Sequence, residues 1–132
     1  MKKSKLTKDQ ARIKRVIAKH LKPMTDFLNL QDWEFETRIM SGTFDKNEKA
    51  CMTNDIQISY LTSTLSVFDP MYTEDDDKVK EVLMHELCHV ITEPQYSLCR
   101  GQVSPHLHEL VEEMREQETE RIARIAMKGY DK

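Results

Sequence analysis

Glycine, proline and long apolar runs are all scarce in this chain. Its 132 residues include only 3 Gly and 4 Pro, so we expect helices to dominate and tight turns to be few. No apolar run is long enough for a membrane-spanning helix, and the Lys-rich start lacks the apolar core of a secretory signal peptide. Hydrophobic residues make up 39% of the chain and charged residues 33%. This composition predicts one soluble domain over residues 1–132, with no membrane partner.

Cysteine is equally sparse. Cys51, Cys88 and Cys99 are an odd number of thiols, and their spacing is not that of a cysteine metal site. We interpret them as free thiols in a reducing compartment, which predicts a cytoplasmic protein.

The charge is unevenly distributed along the chain. Residues 1–22 contain nine Lys or Arg and one Asp, a net +8, so the remainder carries −11 to reach the total of −3. A basic N-terminal arm of this kind is one way to bind nucleic acid. Here the charges surround a predicted helix without interleaved aromatic residues, which favours a solvated helix face. Nucleic-acid binding therefore remains an alternative and not the expected function.

The first half of the chain predicts one helix followed by strands. Thr7 and Gln10 have the spacing of a capping box, and apolar residues then recur at helical spacing until Pro23. We predict a helix over 8–22. Alternating residues from Trp33 to Ile39 predict a half-buried strand. A second strand region is expected over 49–61.

The second strand region is expected to be irregular and to be followed by a loop. Asn54 and Asp55 are expected to interrupt the second strand region as a hairpin or bulge, and Ile56, Ile58 and Tyr60 to share one of its faces. The stretch 61–72, rich in Ser and Thr, is predicted to be a loop.

The most informative stretch is an apolar helix that contains His85-Glu86-Leu87-Cys88-His89, an H-E-x-x-H motif. We predict this helix over 73–93, capped by Thr73 and ended by Pro94. Residues four apart lie on one face of a helix, so His85 and His89 can offer two imidazole nitrogens to one metal ion. Glu86 is turned about 100° from His85 and can reach a water on that ion without binding the ion itself.

A catalytic zinc site requires a third protein ligand. The last predicted helix, 105–128, begins with Ser104-Pro105, ends at Gly129 and carries many carboxylates. Its apolar stripe is predicted to consist of Leu107, Val111, Met114, Ile122 and Ile125. Helical phase places Glu118 in the centre of that stripe, where a charge needs a partner, so phase alone favours Glu118.

A second pattern in the same helix favours Glu116. The segment Glu116-Gln117-Glu118-Thr119-Glu120 places two carboxylates four residues apart on one helix face. One of them can then bind an ion while the other holds an imidazole N–H. This segment resembles the gluzincin pattern, in which a helical Glu binds zinc and an acidic residue four positions later supports a ligand histidine. That resemblance ranks Glu116 first as the third ligand, with Glu118 second and Glu112 third. Glu93 follows His89 by four residues, but Pro94 is expected to disrupt the helix there.

The H-E-x-x-H helix and the Glu-rich terminal helix together resemble small phage and prophage zinc metallopeptidases of the minimal gluzincin type. The resemblance spans most of the chain from Trp33 to Met127. It implies an α+β, zincin-like domain with an N-terminal helix, a small and mostly antiparallel sheet, the motif helix and a terminal Glu helix. It also implies zinc held by His85, His89 and Glu116, with Thr119 in the small-hydroxyl position of the pattern and Glu120 supporting a ligand histidine in place of the usual Asp.

The expected function is therefore zinc-dependent hydrolysis of a peptide or protein. Glu86 is the predicted general base, and the strand near 56–60 could receive an extended peptide along a free edge. Tyr96, His106 and His108 are sequence candidates for stabilising the oxyanion. Two alternatives remain: a zincin scaffold that binds but does not cut, and a nucleic-acid binder acting through the basic arm.

Overall fold

The computed structural model describes residues 5–132 and has an α+β architecture. Three α-helices accompany a three-stranded mixed sheet. In chain order the elements are α1 (Lys8–Phe27), β1 (Glu34–Ile39), β2 (Met52–Gln57), β3 (Thr62–Val67), α2 (Asp76–Gln102) and α3 (His108–Tyr130). Short 3-10 turns lie at Ile58–Tyr60, Asp69–Thr73 and Pro105–Leu107. The predicted α+β class is confirmed. No helix in this part of the chain combines the length and apolar character needed to cross a membrane.

The sheet has the strand order β1-β3-β2. β3 pairs parallel with β1 and antiparallel with β2, so the prediction of a mostly antiparallel sheet is wrong for one of the two pairings. The central strand β3 lies inside the stretch predicted to be a loop. The inward face of β3 consists of Ser63, Leu65 and Val67. The loop prediction failed because a hydroxyl residue on this buried face interrupts the alternation of apolar and polar residues that identifies a strand.

The second strand region also differs from the prediction. Asn54 and Asp55 lie within an unbroken β2. The chain reverses after them, through the turn Ile58–Tyr60 and Leu61, whose φ is 52°. Ile58 and Tyr60 therefore do not continue the strand, and Tyr60 is exposed. The result for the site is that β2 occupies one edge of the sheet.

Helices α1 and α2 each continue through a proline that was expected to end them. α1 extends past Pro23 because Met24 and Thr25 are buried and hold its last turn against the protein. α2 extends past Pro94, where Thr92 is buried against α3 and Glu93 forms an ion pair with an arginine of α3. Packing against neighbouring elements thus overrides the local cost of each proline.

α2 and α3 each begin three residues later than predicted, and their ends are formed differently. Asp75, and not Thr73, caps α2 by accepting a hydrogen bond from the Lys78 N–H at 2.8 Å. Ser104 makes no side-chain cap, because a 3-10 turn precedes α3. Gly129 lies within α3, where a Cβ atom would approach the Phe27 ring to 2.9 Å. Its role is therefore close helix packing and not helix termination.

The core lies between the sheet and the helices, with α2 at its centre. Most of the fully buried side chains come from α1, β3 and α2, and they include Ile13, Ile17, Leu65, Leu83 and Leu87. α2 and α3 are antiparallel neighbours, linked by Arg100 and Glu112 at one end and by Lys80 and Asp131 at the other. The three cysteines are free thiols, as predicted.

Candidate metal centre

The two motif histidines lie side by side on α2 and face a carboxylate of α3. The ring centroids of His85 and His89 are 4.8 Å apart, with an angle of 81° between the rings. The Nε2 atom of His85 is 3.4 Å from one carboxylate oxygen of Glu116, and the Nε2 atom of His89 is 3.3 Å from the other. One ligand atom from each residue lies within 4.8 Å of the other two. The structure thus brings the three predicted ligands together, while their metal-binding role stays a prediction.

Both contacts with Glu116 are longer than a typical charge-assisted hydrogen bond. Charge-assisted N–H···O bonds are typically about 2.7–2.9 Å long, which is shorter than either contact to Glu116. Tetrahedral zinc with bonds of about 2.0–2.1 Å to nitrogen and oxygen separates its ligand atoms by roughly 3.3 Å. Each contact with Glu116 is close to this spacing, with a different carboxylate oxygen facing each histidine. One ligand atom from each of the three residues lies within 4.8 Å of the others.

The opposite nitrogen of each ring is supported by α3. The Nδ1 atom of His85 lies 2.7 Å from Glu120 Oε2, and Glu120 is also bound by Arg124 at 3.0 Å. Because a carboxylate accepts, His85 donates through Nδ1 and its Nε2 is free to bind a cation. The Nδ1 atom of His89 lies 3.4 Å from the hydroxyl of Thr119. Glu120 and Thr119 thus occupy the places that the sequence pattern suggested.

Helical phase based on apolar residues identified the packed face of α3 only in part, since Val111 of the predicted stripe is buried and Ile122 packs against the core. Met114 and Ile125 of the predicted buried stripe are 49% and 64% exposed, whereas Thr119 and Ala123 are buried. The face of α3 that packs on α2 is therefore the one with small residues, and this is the face that carries Glu116. Glu118 is not part of the group that could hold a metal ion among residues 5–132.

The other two carboxylates that were considered are engaged elsewhere. Glu112 pairs with Arg100 and accepts from Arg115 at 2.8 Å. Glu93 accepts from Arg115 at 3.0 Å. Arg115 therefore holds both acids at the edge of the centre, away from the contacts between Glu116 and the two histidines.

Glu86 lies on the sheet-facing side of α2, beside the histidines. Removal from water raises the pKa of its carboxyl group to about 7, although the charges of the two imidazoles work in the opposite direction. Asn54 of β2 donates to the Glu86 backbone carbonyl at 2.8 Å, and Ser63 of β3 donates to the Asn54 side chain at 2.6 Å. These bonds connect the edge strand directly to the motif helix.

The electrostatics of the cluster favour a negative Glu116. Hydrogen bonds with His85 and His89 hold the pKa of Glu116 well below its ordinary range, although partial burial opposes this. The hydrogen bond with Glu116 also raises the pKa of His85, against the effect of burial. Partial burial also opposes ionisation of Glu120, yet hydrogen bonds with Arg124 and His85 lower its pKa. The cluster therefore presents the ionised carboxylate of Glu116 to the two Nε2 atoms, while the ionised Glu120 holds His85 through Nδ1.

A cavity of about 550 Å³ opens between the edge strand β2 and the α2–α3 pair. Its lining includes Glu86, His89 and Glu116 on one side and residues 52–56 of β2 on the other. Arg115 also lines it, although it was not among the candidate site residues predicted from the sequence. The available signal was its position immediately before Glu116.

The sequence candidates for oxyanion stabilisation are not part of this cavity. Tyr96, His106 and His108 are absent from its lining. Tyr96 and His108 are partly exposed, and His106 is exposed. Among the described residues, Arg115 and Arg100 are the cationic side chains in the lining. These two arginines, and not the three sequence candidates, are therefore the cations next to the cavity.

Comparisons with protein-family models, with curated proteins and with solved structures find no match to this chain. The interpretation of the centre therefore depends on its residues and their geometry.

Proposed function

We propose that this protein is a zinc-dependent metallopeptidase that resembles minimal gluzincins. The supporting observation is the placement of Glu116 at 3.3–3.4 Å from the Nε2 atoms of both motif histidines. A short helix motif from one segment and a carboxylate from another, 27 residues beyond His89, converge without being neighbours in sequence. A surface helix with fortuitous histidines would not require this convergence.

The donor set fits zinc. Two imidazole nitrogens and one carboxylate oxygen are a ligand set of catalytic zinc sites, which keep a further position for water or substrate. His85 Nδ1 and His89 Nδ1 both have partners on α3, so both Nε2 atoms can act as ligands. When bound, zinc supplies a Lewis acid that polarises a carbonyl group and lowers the pKa of a coordinated water.

Glu86 is the proposed general base. Its carboxylate takes the proton of the water that attacks a peptide carbonyl and returns that proton to the leaving amine. A pKa near 7 in the metal-free protein suits a group that must gain and lose a proton near neutral pH. Neither ligand histidine can serve as that base, because metal binding and the contacts with α3 engage both of their nitrogens.

An extended peptide is the substrate that the cavity fits best. β2 is an edge strand and its residues 52–56 form one wall of the cavity, so a peptide can add to the sheet beside Glu86 and His89. Arg115 lies on the other wall, with Nη2 3.4 Å from Glu116 Oε1. We propose it as the cation that stabilises the developing oxyanion, in place of the three residues considered from sequence.

Metal content is the decisive test of the centre. Wild-type protein purified without a metal-affinity tag is expected to contain about one zinc per chain, and His85→Ala is expected to lose it. His20→Ala is a matched control, because His20 binds Tyr130 at 2.8 Å, in a separate contact between α1 and α3. Equal trace metal in wild type and His85→Ala would reject the proposal.

Catalysis is tested separately with Glu86→Gln on a mixed peptide library. The variant is expected to keep the zinc and to lose cleavage, since Gln cannot accept the proton. Glu81→Gln, an exposed position on the same helix, should cleave like wild type. If wild type binds one zinc and cleaves nothing, the protein is instead a zincin-like scaffold without this activity.

A further inference from the structure

A chain of three buried polar groups lies behind His89, on the side away from Glu116. The hydroxyl of Thr119 on α3 is 3.4 Å from His89 Nδ1 and 2.9 Å from the hydroxyl of Thr92 on α2. The Thr92 hydroxyl in turn donates to the backbone carbonyl of His89 at 3.4 Å. Thr119 is 0% exposed, Thr92 4% and His89 5%, so the described geometry places these groups out of reach of bulk water.

The direction of the hydrogen bonds in this chain depends on the tautomer of His89. A histidine that binds a metal through Nε2 carries its proton on Nδ1 and must donate there. Two groups are within reach of Nδ1: the Thr119 hydroxyl and Arg115 Nη1, which is 3.3 Å away. A guanidinium has no acceptor, so Thr119 must accept this proton.

Once Thr119 accepts from His89, the remaining bonds have one consistent direction. The Thr119 hydroxyl proton points to the oxygen of Thr92, and the Thr92 proton points to the His89 carbonyl. In the reverse direction Thr92 donates to Thr119, and Thr119 donates to Nδ1. That arrangement places the ring proton on Nε2, where it blocks a metal.

We propose that Thr119 and Thr92 are positioning residues that fix His89 with its proton on Nδ1 and its Nε2 directed at the metal. The inference rests on the proposed zinc centre and adds to it a hydrogen-bond chain that orients one of the ligand histidines. Thr92 takes part although it touches neither the metal position nor the imidazole, because it provides the acceptor that the Thr119 proton needs.

Arg115 opposes this arrangement in the metal-free state. Its Nη1 can bond to Nδ1 only when that nitrogen carries a lone pair, which is the tautomer that cannot bind metal through Nε2. Glu93 and Glu112 offer the same guanidinium alternative partners at 3.0 and 2.8 Å. The two hydroxyls therefore decide between the tautomers, with Arg115 free to remain on its carboxylates.

Zinc affinity of metal-depleted full-length protein, measured by competition with a chromophoric chelator, tests the proposal. Thr119→Val keeps the side-chain shape without the hydroxyl and is expected to weaken zinc binding about 10- to 100-fold. Thr92→Val is expected to weaken it about 3- to 10-fold, the value of one neutral hydrogen bond. Thr119→Ser and Thr92→Ser keep the hydroxyl and should stay within about 2-fold of wild type.

Thr25→Val is the matched control. Thr25 is 7% exposed and donates to the Lys22 carbonyl three residues earlier at 3.0 Å, as Thr92 does to His89. It lies on α1, so its loss should leave zinc affinity unchanged. The double variant Thr92→Val/Thr119→Val should bind zinc no more weakly than Thr119→Val alone, because the two hydroxyls act in series.

Each outcome separates the inference from the proposed function. Wild type that binds no zinc refutes the zinc centre itself. Wild type that binds zinc, together with valine variants of equal affinity, refutes only the role of the hydroxyls. Serine variants as weak as the valine variants also refute it, since packing would then be responsible. If Thr119→Val does not fold, Thr92→Val against Thr92→Ser decides by the same criteria.

Discussion

Replacing the proposed base by Glu86→Gln should stabilise the metal-free protein, and more so as the pH rises. The folded protein raises the pKa of Glu86 from 4.5 to about 7, chiefly because the carboxyl group is removed from water. An acid with a raised pKa binds more protons in the folded than in the unfolded state between these two values. Stability therefore falls as the pH increases from about 4.5 to 7.

The size of the effect follows from the same two values. One pKa unit corresponds to about 1.36 kcal/mol, so ionising Glu86 costs the folded protein about 3 kcal/mol above pH 7 and nothing below pH 4. Gln cannot ionise and escapes this cost. We expect the free energy of unfolding of Glu86→Gln to equal that of wild type near pH 4 and to exceed it by about 3 kcal/mol at pH 8.

Urea unfolding in the presence of a chelator, from pH 4 to 8, measures this difference. Glu81→Gln is the matched control, because Glu81 is exposed on the same helix, and its difference from wild type should stay within about 0.5 kcal/mol at every pH. Saturating zinc should reduce the advantage of Glu86→Gln, since a nearby cation favours the ionised carboxylate. A difference for Glu86→Gln that does not change with pH would refute the argument from burial.

Three further predictions concern the surroundings of Glu86. Glu116→Ala should weaken zinc binding more than about 100-fold, because it removes a ligand and the loss of a supporting residue already costs about 10- to 100-fold. Glu118→Ala should bind zinc nearly as tightly as wild type. The opposite order of affinities would assign the ligand role to Glu118. Glu120→Ala should weaken zinc binding about 10- to 100-fold, measured by competition with a chromophoric chelator, because it loses the 2.7 Å bond to His85. Unchanged zinc affinity would contradict the role of Glu120 in supporting His85. Asn54→Ala should lower the free energy of unfolding by about 1–3 kcal/mol in urea, since it removes a bond to the Glu86 carbonyl and takes away the acceptor of the Ser63 hydroxyl. A neutral effect would show that water replaces the amide.

Local patterns were sufficient for the parts of the molecule that depend on helical spacing. The four-residue interval between His85 and His89 places both rings on one face of any α-helix. The relative position of these two members of the candidate centre therefore followed from the sequence. The Thr7–Gln10 capping box is present as predicted, with both of its hydrogen bonds formed. The α+β class also followed from segment patterns. These features involve residues close in sequence, where backbone geometry alone determines the relative positions of the side chains.

The remaining features depend on which surfaces pack together. Apolar periodicity identified Val111 correctly but also included Met114 and Ile125, which are exposed, because it does not detect the small residues Thr119 and Ala123 that are buried there. β3 is the central strand, with β1 and β2 paired to its two edges. No signal within Thr62–Val67 specifies which strands these neighbours are.

Pro94 shows the same limit of local prediction. It could be accommodated in α2 because Thr92 and Glu93 bind α3, and the continued helix then placed Glu93 beside Arg115. Sequence by itself thus determined that His85, Glu86 and His89 lie together on one helix. Only the tertiary structure decided which carboxylate faces them and which edge strand lies alongside, since both depend on contacts between segments that are distant in sequence.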